Sequence, residues 1–156
     1  MLTERNALVL VAAGGSLALL LGALAFQYFG GLAPCALCLW QRWPHVAAVM
    51  IGALALAMPG RLLPWMGALA ALTSAGIGVF HTGVERGWWK GLESCSGGSI
   101  SGLDVADLLD PTKAVAPVVR CDAVAWEFLG LSMASWNVVI SVLLALLWIA
   151  AARRRG

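Results

Sequence analysis

Ala33-Pro34-Cys35-Ala36-Leu37-Cys38-Leu39-Trp40-Gln41-Arg42 joins the end of one apolar segment to the start of the next. Two cysteines stand two residues apart, behind a proline and ahead of an arginine. A Cys-x-x-Cys pair closes into a small, readily reduced ring, and its thiolate is stabilised or destabilised by whatever surrounds it. If a helix begins here, Arg42 lies four residues after Cys38 on the same face. That brings a fixed positive charge toward a sulfur that must become a thiolate. The boundary position of the stretch predicts a redox pair at the water edge of a membrane.

The flanking segments supply the membrane. Residues 7–26 carry no charge, and about 20 apolar residues cross a hydrocarbon core of about 30 Å. A cleaved signal peptide is the competing reading, because Arg5 precedes the run and Ala23-Leu24-Ala25 resembles a cleavage site. Signal cores are shorter, about 7–15 residues, so a retained span is expected. Further spans are expected at 38–58, 62–81 and 131–152. Pro59-Gly60-Arg61 forms a very short turn between the second and third. Gly67, Ala71, Ala75 and Gly78 place small residues at helical spacing, which lets a neighbouring helix approach closely. The expected fold is an all-α membrane protein, a four-transmembrane-helix bundle forming one domain over residues 1–156.

Composition agrees. Hydrophobic residues make up 61% of the chain and charged residues 12%, against about 45–50% and about 25% in ordinary soluble domains. A net charge of +2 without a basic stripe argues against nucleic acid as a partner. Four spans put both termini on one side, with Arg5, Arg61 and Arg153-Arg154-Arg155 tight against span ends. The positive-inside rule makes that side cytoplasmic. Residues 27–37 and 82–130 are then loops on the opposite, oxidising face, the periplasm of a bacterial inner membrane. In the longer loop, acids outnumber bases. Trp88-Trp89 suits the membrane interface, Gly97-Gly98-Ser99 suits a flexible link, and Leu103 to Leu109 suits a short helix lying on the bilayer surface.

All four cysteines, Cys35, Cys38, Cys95 and Cys121, fall in or beside these two loops. Cys95 and Cys121 read either as a structural staple or as an exchangeable disulfide reached by a soluble partner. A zinc site built from all four cysteines is disfavoured because the second pair lacks short ligand spacing, and no metal is expected. Arg42, inside an apolar run, needs a partner. It could serve a Cys38 thiolate or a carbonyl oxygen of a bound ligand, or it could snorkel to headgroups. His81, level with Arg42 at the outer end of the third span, stands above His45 as a proton-handling group.

Pro34-Cys35-Ala36-Leu37-Cys38-Leu39-Trp40-Gln41-Arg42, His81-Thr82, Cys95, Cys121, the run Trp126 to Met133 and Trp136 resemble the DsbB family of bacterial inner-membrane disulfide-generating proteins. Ala134 stands where members often have proline. The resemblance implies a quinone-dependent enzyme. A DsbA-like periplasmic thioredoxin-fold partner would attack at Cys95, Cys121 would attack the Cys35–Cys38 disulfide at Cys35, and Cys38 would pass electrons to a bound quinone. Ubiquinone is expected ahead of menaquinone, with Arg42 and His81 beside it. Two other readings are a four-helix reductase of the vitamin K epoxide reductase type and a non-catalytic membrane scaffold with inert disulfides. The Cys-x-x-Cys precedes the second span and leads into Gln-Arg, which favours the first family.

Overall fold

The computed structural model describes residues 3–92 and 119–154. Cys95, the Gly-Gly-Ser link and the expected surface helix lie outside the described residues. Four α-helices are present among them: α1 Glu4–Tyr28, α2 Ala36–Ala57, α3 Leu62–Glu85 and α4 Met133–Arg153. Each helix packs on two others, α1 on α2 and α4, α3 on α2 and α4, and the α3–α4 pair is the most extensive. The result is a closed ring of antiparallel neighbours, in up-down-up-down order.

Three helices, α1, α3 and α4, are long and apolar enough to cross a membrane. Helix α2 has comparable length but carries Gln41, Arg42, Pro44 and His45. The outer surface is apolar. Val11, Leu21, Met50, Leu69, Leu143 and Leu146 are all exposed, a surface that water does not tolerate on this scale but lipid does.

The small-residue stripe on α3 performs the expected task. Gly67 lies against the indole of Trp148, which is fully buried, and Gly78 lies against Val138 and the Ala134 carbonyl. A core of Val9, Ala12, Ala55, Ala68, Ala71, Leu144 and Ala145 surrounds that indole. The bundle is closed by alanine and glycine, with one large aromatic filling the centre.

One end of the bundle is tied by arginine. The guanidinium of Arg5 donates to the carbonyls of Ala55 at 2.9 Å, Met58 at 3.2 Å and Gly60 at 2.9 Å. The first and second of these satisfy acceptors that the C-terminus of α2 leaves open. Arg61 Nε donates to the Ala152 carbonyl at 2.7 Å, and Arg154 pairs with Glu4 at 2.9 Å. The basic residues flanking three different span ends therefore meet at one end.

The structure departs from the sequence expectation at two places that matter. Helix α3 runs a full turn beyond 81, to Glu85, so His81 and Glu85 share one helical face. Ahead of α4 the chain forms a two-stranded hairpin, β1 Glu127–Phe128 paired with β2 Leu131–Ser132, where a continuous span from 131 is expected. Leu129 and Gly130 turn it with φ of 53° and 75°, the two left-handed positions of a tight hairpin turn. Gly130 adopts that backbone without strain, and the hairpin delivers Ser132 to the start of α4.

Gly67→Leu would drive a side chain into the Trp148 indole. It should destabilise the bundle by about 1–3 kcal/mol, the usual range for overpacking, read as a lower Tm in detergent. Gly76→Leu, at a position where an added Cβ meets nothing within 4 Å, should leave Tm unchanged.

Candidate active site

Helix α2 begins at Ala36, and Cys35 is its N-cap, with extended backbone and its sulfur accepting the Cys38 N–H at 3.3 Å. A sulfur at this place replaces the serine or aspartate oxygen that usually satisfies a free N–H at a helix start. Cys35 and Cys38 are free thiols with sulfurs 2.8 Å apart. Two thiolates around one tetrahedral zinc at about 2.3 Å would sit about 3.8 Å apart. The close approach therefore suits S–S bond formation better than metal, although the His81 ring lies within 4.8 Å of both sulfurs.

Helix α3 supplies His81. Its Nε2 is 3.6 Å from Cys35 Sγ and 3.8 Å from Glu85 Oε1, while Nδ1 is 2.8 Å from Gln41 Nε2. Gln41 also donates to the Leu37 carbonyl at 3.3 Å, which orients its amide nitrogen toward the ring. An amide N–H pointing at Nδ1 makes Nδ1 the acceptor, so the ring proton sits on Nε2 and faces the sulfur. The Cys121 backbone hydrogen-bonds the same ring.

These donors act on Cys35. Its thiol is held well below the ordinary range, first by the hydrogen bond from the Cys38 thiol and then by His81 and the Cys38 N–H; burial opposes them. Cys35, not Cys38, is the sulfur on which the donors converge. Removing an N–H that faces a thiolate lets the thiol keep its proton to higher pH.

Cys121 is disulfide-bonded and fully buried. It shares one apolar cluster with Cys35, Leu37 and Val84. The chain thus brings a disulfide sulfur of its long connection up against the N-terminal cysteine of the Cys-x-x-Cys pair.

The pair also lines a cavity of about 650 Å³ bounded by α1, α2, the end of α3, the start of α4 and the segment around Cys121. Leu19, Leu20, Phe26, Met133 and Ile140 give it an apolar wall, while Cys35, Cys38, Arg42, His81 and Glu85 give it a polar end. Phe26, Trp126, Phe128 and Trp136 form a chain of ring contacts at 5.4, 6.0 and 6.3 Å along its edge. This size and this mix of apolar wall and few polar groups fit a ring-bearing lipid-soluble ligand such as a quinone.

Arg42 borders the cavity but turns to α1, donating to Gln27 Oε1 at 2.7 Å and to the Ala23 carbonyl at 3.4 Å. His45 is buried deeper, with Nε2 within 3.0 Å of Ser74 Oγ, 3.1 Å of Asn137 Oδ1 and 3.3 Å of Ser141 Oγ. It ties α2 to α3 and α4, the usual use of a polar side chain inside a membrane bundle.

The match to the family model of disulfide bond formation protein DsbB runs over residues 5–151. The chain belongs to the DsbB family. Disulfide bond formation protein B of Pasteurella multocida is 33% identical over 154 residues, covering 89% of this chain and 84% of the relative. That of Albidiferax ferrireducens is 32% identical, covering 86% and 82%, and that of Acidovorax sp. is 29% identical, covering 97% and 89%. No solved structure matches the chain. DsbB proteins form disulfides, and this member is a membrane thiol oxidoreductase.

Gln41, Glu85 and Ser132 are site residues that sequence reasoning passed over. Their signal was present in part, since Glu85 follows His81 by four residues, but it is visible only if the third helix is extended beyond the apolar run.

In the reduced protein, alkylation of Cys35 should show a midpoint below the ordinary thiol value of about 8.5. His81→Ala should move that midpoint to higher pH, as read by mass spectrometry of the Cys35 peptide.

Proposed function

We propose that this chain reoxidises a DsbA-like periplasmic dithiol protein and passes the electrons to a membrane quinone, ubiquinone ahead of menaquinone. The observation that carries the reading is the place of the Cys35–Cys38 pair, which packs in one cluster with buried Cys121 and also lines the apolar cavity. Electrons entering at Cys121 have one sulfur pair to cross before they reach a lipid-soluble acceptor.

The same end-to-end division supports a topology. Arg5, Arg61 and Arg154 gather at one end and the sulfur site lies at the other. With the arginine end cytoplasmic, both termini lie inside and the cysteines face the periplasm. Helix α2 is the fourth span. Gln41 and His45 are buried, and Arg42 directs its hydrogen bonds to α1, so its polar groups are turned away from lipid. Residues 1–156 then form one membrane domain with loops at 27–37 and 82–130.

The chemistry is thiolate attack on disulfides throughout. The family resemblance gives Cys95 as the sulfur for a soluble thiol to attack, and the burial of Cys121 agrees with Cys121 being the one released. The partner's thiolate bonds to Cys95, and Cys121 leaves as a thiolate. Cys121 then attacks the Cys35–Cys38 disulfide at Cys35, its neighbour in the buried cluster, and Cys38 leaves as a thiolate. The partner's second thiol displaces Cys95, so the partner departs oxidised. Cys95 attacks Cys121, which restores the loop disulfide and frees Cys35, leaving the electron pair on the Cys35–Cys38 dithiol. His81 holds its Nε2 proton toward Cys35, and Arg42 sets a positive charge on the cavity wall. A bound quinone supplies an acceptor for two electrons and two protons.

Purified protein mixed with reduced partner and a soluble ubiquinone analogue should consume the quinone, followed by its absorbance; no consumption would leave a scaffold. Cys38→Ser should abolish the consumption. Arg42→Ala should raise KM for quinone more than KM for the partner protein.

A further inference from the structure

Glu85 is a carboxyl group in a place where the exchange chemistry of the cysteines does not by itself require one. Its side chain is 6% exposed and lies on the polar end of the cavity. Oε2 accepts the Ser132 hydroxyl at 2.5 Å. Ser132 is fixed as the N-cap of α4, its oxygen accepting the Ser135 N–H at 3.2 Å. The Ser135 hydroxyl lies 3.1 Å from Ser132 Oγ, and the Thr82 hydroxyl lies 3.1 Å from Ser135 Oγ. With the Ser132 proton committed to Glu85, this row of hydroxyls donates in one direction, Thr82 to Ser135 to Ser132 to Glu85, and each bond strengthens the next. Oε2 is therefore an acceptor. A proton carried by Glu85 sits on Oε1, the oxygen that faces His81.

The other side of the arrangement is a shortage of donors. His81 Nε2 is 3.6 Å from Cys35 Sγ and 3.8 Å from Glu85 Oε1. Gln41 occupies Nδ1, so the one Nε2–H is drawn on by the Cys121 backbone carbonyl and by two groups that can each become an anion. It can serve one of them fully at a time. A negative charge on Cys35 leaves Glu85 to be neutral, and a negative charge on Glu85 leaves Cys35 to be a thiol. The charged and titratable groups acting on Glu85 are His81, Cys35 and Arg86, and Cys38 acts on Cys35. Arg86, the residue after the helix, is exposed. It provides no hydrogen bond to the carboxylate among the described residues.

We infer that Glu85 is the proton partner of Cys35: the two share one proton across the His81 N–H, and Glu85 takes up the proton that Cys35 releases and passes it to water. The inference rests on the redox function proposed above and adds the route of one proton. Closing the Cys35–Cys38 disulfide forms one S–S bond and breaks two S–H bonds. The electron pair leaves for the quinone, the Cys35 proton goes to Glu85 Oε1, and Glu85 returns it to water before the next cycle. The Cys38 proton goes with the electron pair to the quinone, and water supplies the second proton of the quinol in place of the one that Glu85 returns to it, so atoms and charge balance. Glu85 is a positioning and proton-carrying residue and makes no bond to the reacting sulfurs.

Glu85→Gln tests this in the full chain in detergent. The amide oxygen still accepts from Ser132, so the start of α4 keeps its partner. The first readout is the pH profile of Cys35 alkylation in the reduced protein, mapped to the Cys35 peptide. Without a competing carboxylate, its midpoint should move to lower pH by about one unit, the size of shift one nearby like charge produces. The second readout is quinone consumption. It should fall by about tenfold or more, the range for a lost proton-transfer group, and should rise again as buffer concentration is raised. Wild type should be insensitive to buffer. Glu85→Asp, which keeps a proton acceptor, should stay insensitive to it as well.

An unmoved or upward-shifted midpoint would overturn the inference. So would a loss of turnover that buffer does not restore, because that is the signature of a purely structural residue. If wild type consumes no quinone at all, the proposed electron route fails, while the alkylation profile still decides whether Cys35 and Glu85 share a proton.

Discussion

The hydrogen bond from the Cys38 N–H to the Cys35 sulfur is the contact on which the site depends. It makes a cysteine the cap of α2, and a cap stands at a defined place on the helix axis. Cys38 follows one turn later, with its sulfur beside the first. Gln41 and Arg42 follow after another turn, and His45 one turn deeper. The spacing of Cys38, Gln41, Arg42 and His45 down one face of a helix puts sulfur chemistry at the rim and polar side chains progressively farther inside. If the helix began elsewhere, none of these groups would face its partner on α1, α3 or α4.

The second constraint is that polar groups within an apolar bundle must be satisfied by the bundle itself. The arginine end meets it by placing guanidinium groups on helix C-terminal carbonyls, joining α1 to α2 and α3 to α4. The middle meets it through His45, Ser74, Asn137 and Ser141. Ser74 also donates to the Gln41 carbonyl at 3.1 Å, in the stretch where Pro44 contributes no N–H to the helical ladder. The sulfur end meets it only loosely. The distances from His81 to Cys35 and Glu85 are long for hydrogen bonds, and the Cys121 backbone draws on the same ring. The arginine and His45 clusters meet it mostly, since Arg5 Nε and His45 Nδ1 are buried without a partner among the described residues, whereas at the sulfur end several acceptors converge on one ring.

Much of the architecture was legible because a membrane imposes few choices. Uncharged runs of spanning length, glycine and proline between them, and arginines at their ends specify helices, turns and a common end. The Cys-x-x-Cys at a run boundary and His81 at the end of another placed the reactive pair and its histidine at the same level. Hydropathy was a poor guide at the edges. It ended the third helix at His81, because Thr82 to Glu85 are less apolar, although the backbone continues to Glu85. It began the last helix at Leu131, because the hairpin residues Phe128, Leu129 and Leu131 are themselves apolar. Their turn geometry is set by two left-handed positions that periodicity does not register.

The order of residues along the chain by itself determined that helices cross a membrane, that a dithiol stands where one of them begins, and that basic residues mark the opposite end. Those are properties of single segments, governed by hydropathy and by spacing along one helix. Tertiary packing alone decided that Cys121 lies buried beside Cys35, that Arg42 is held by Gln27, and that Ser132 reaches Glu85. Each of these joins residues far apart in the chain through side chains meeting across helices. Their angles and heights follow from how glycine and alanine surfaces close around Trp148, and no local pattern in the sequence encodes that.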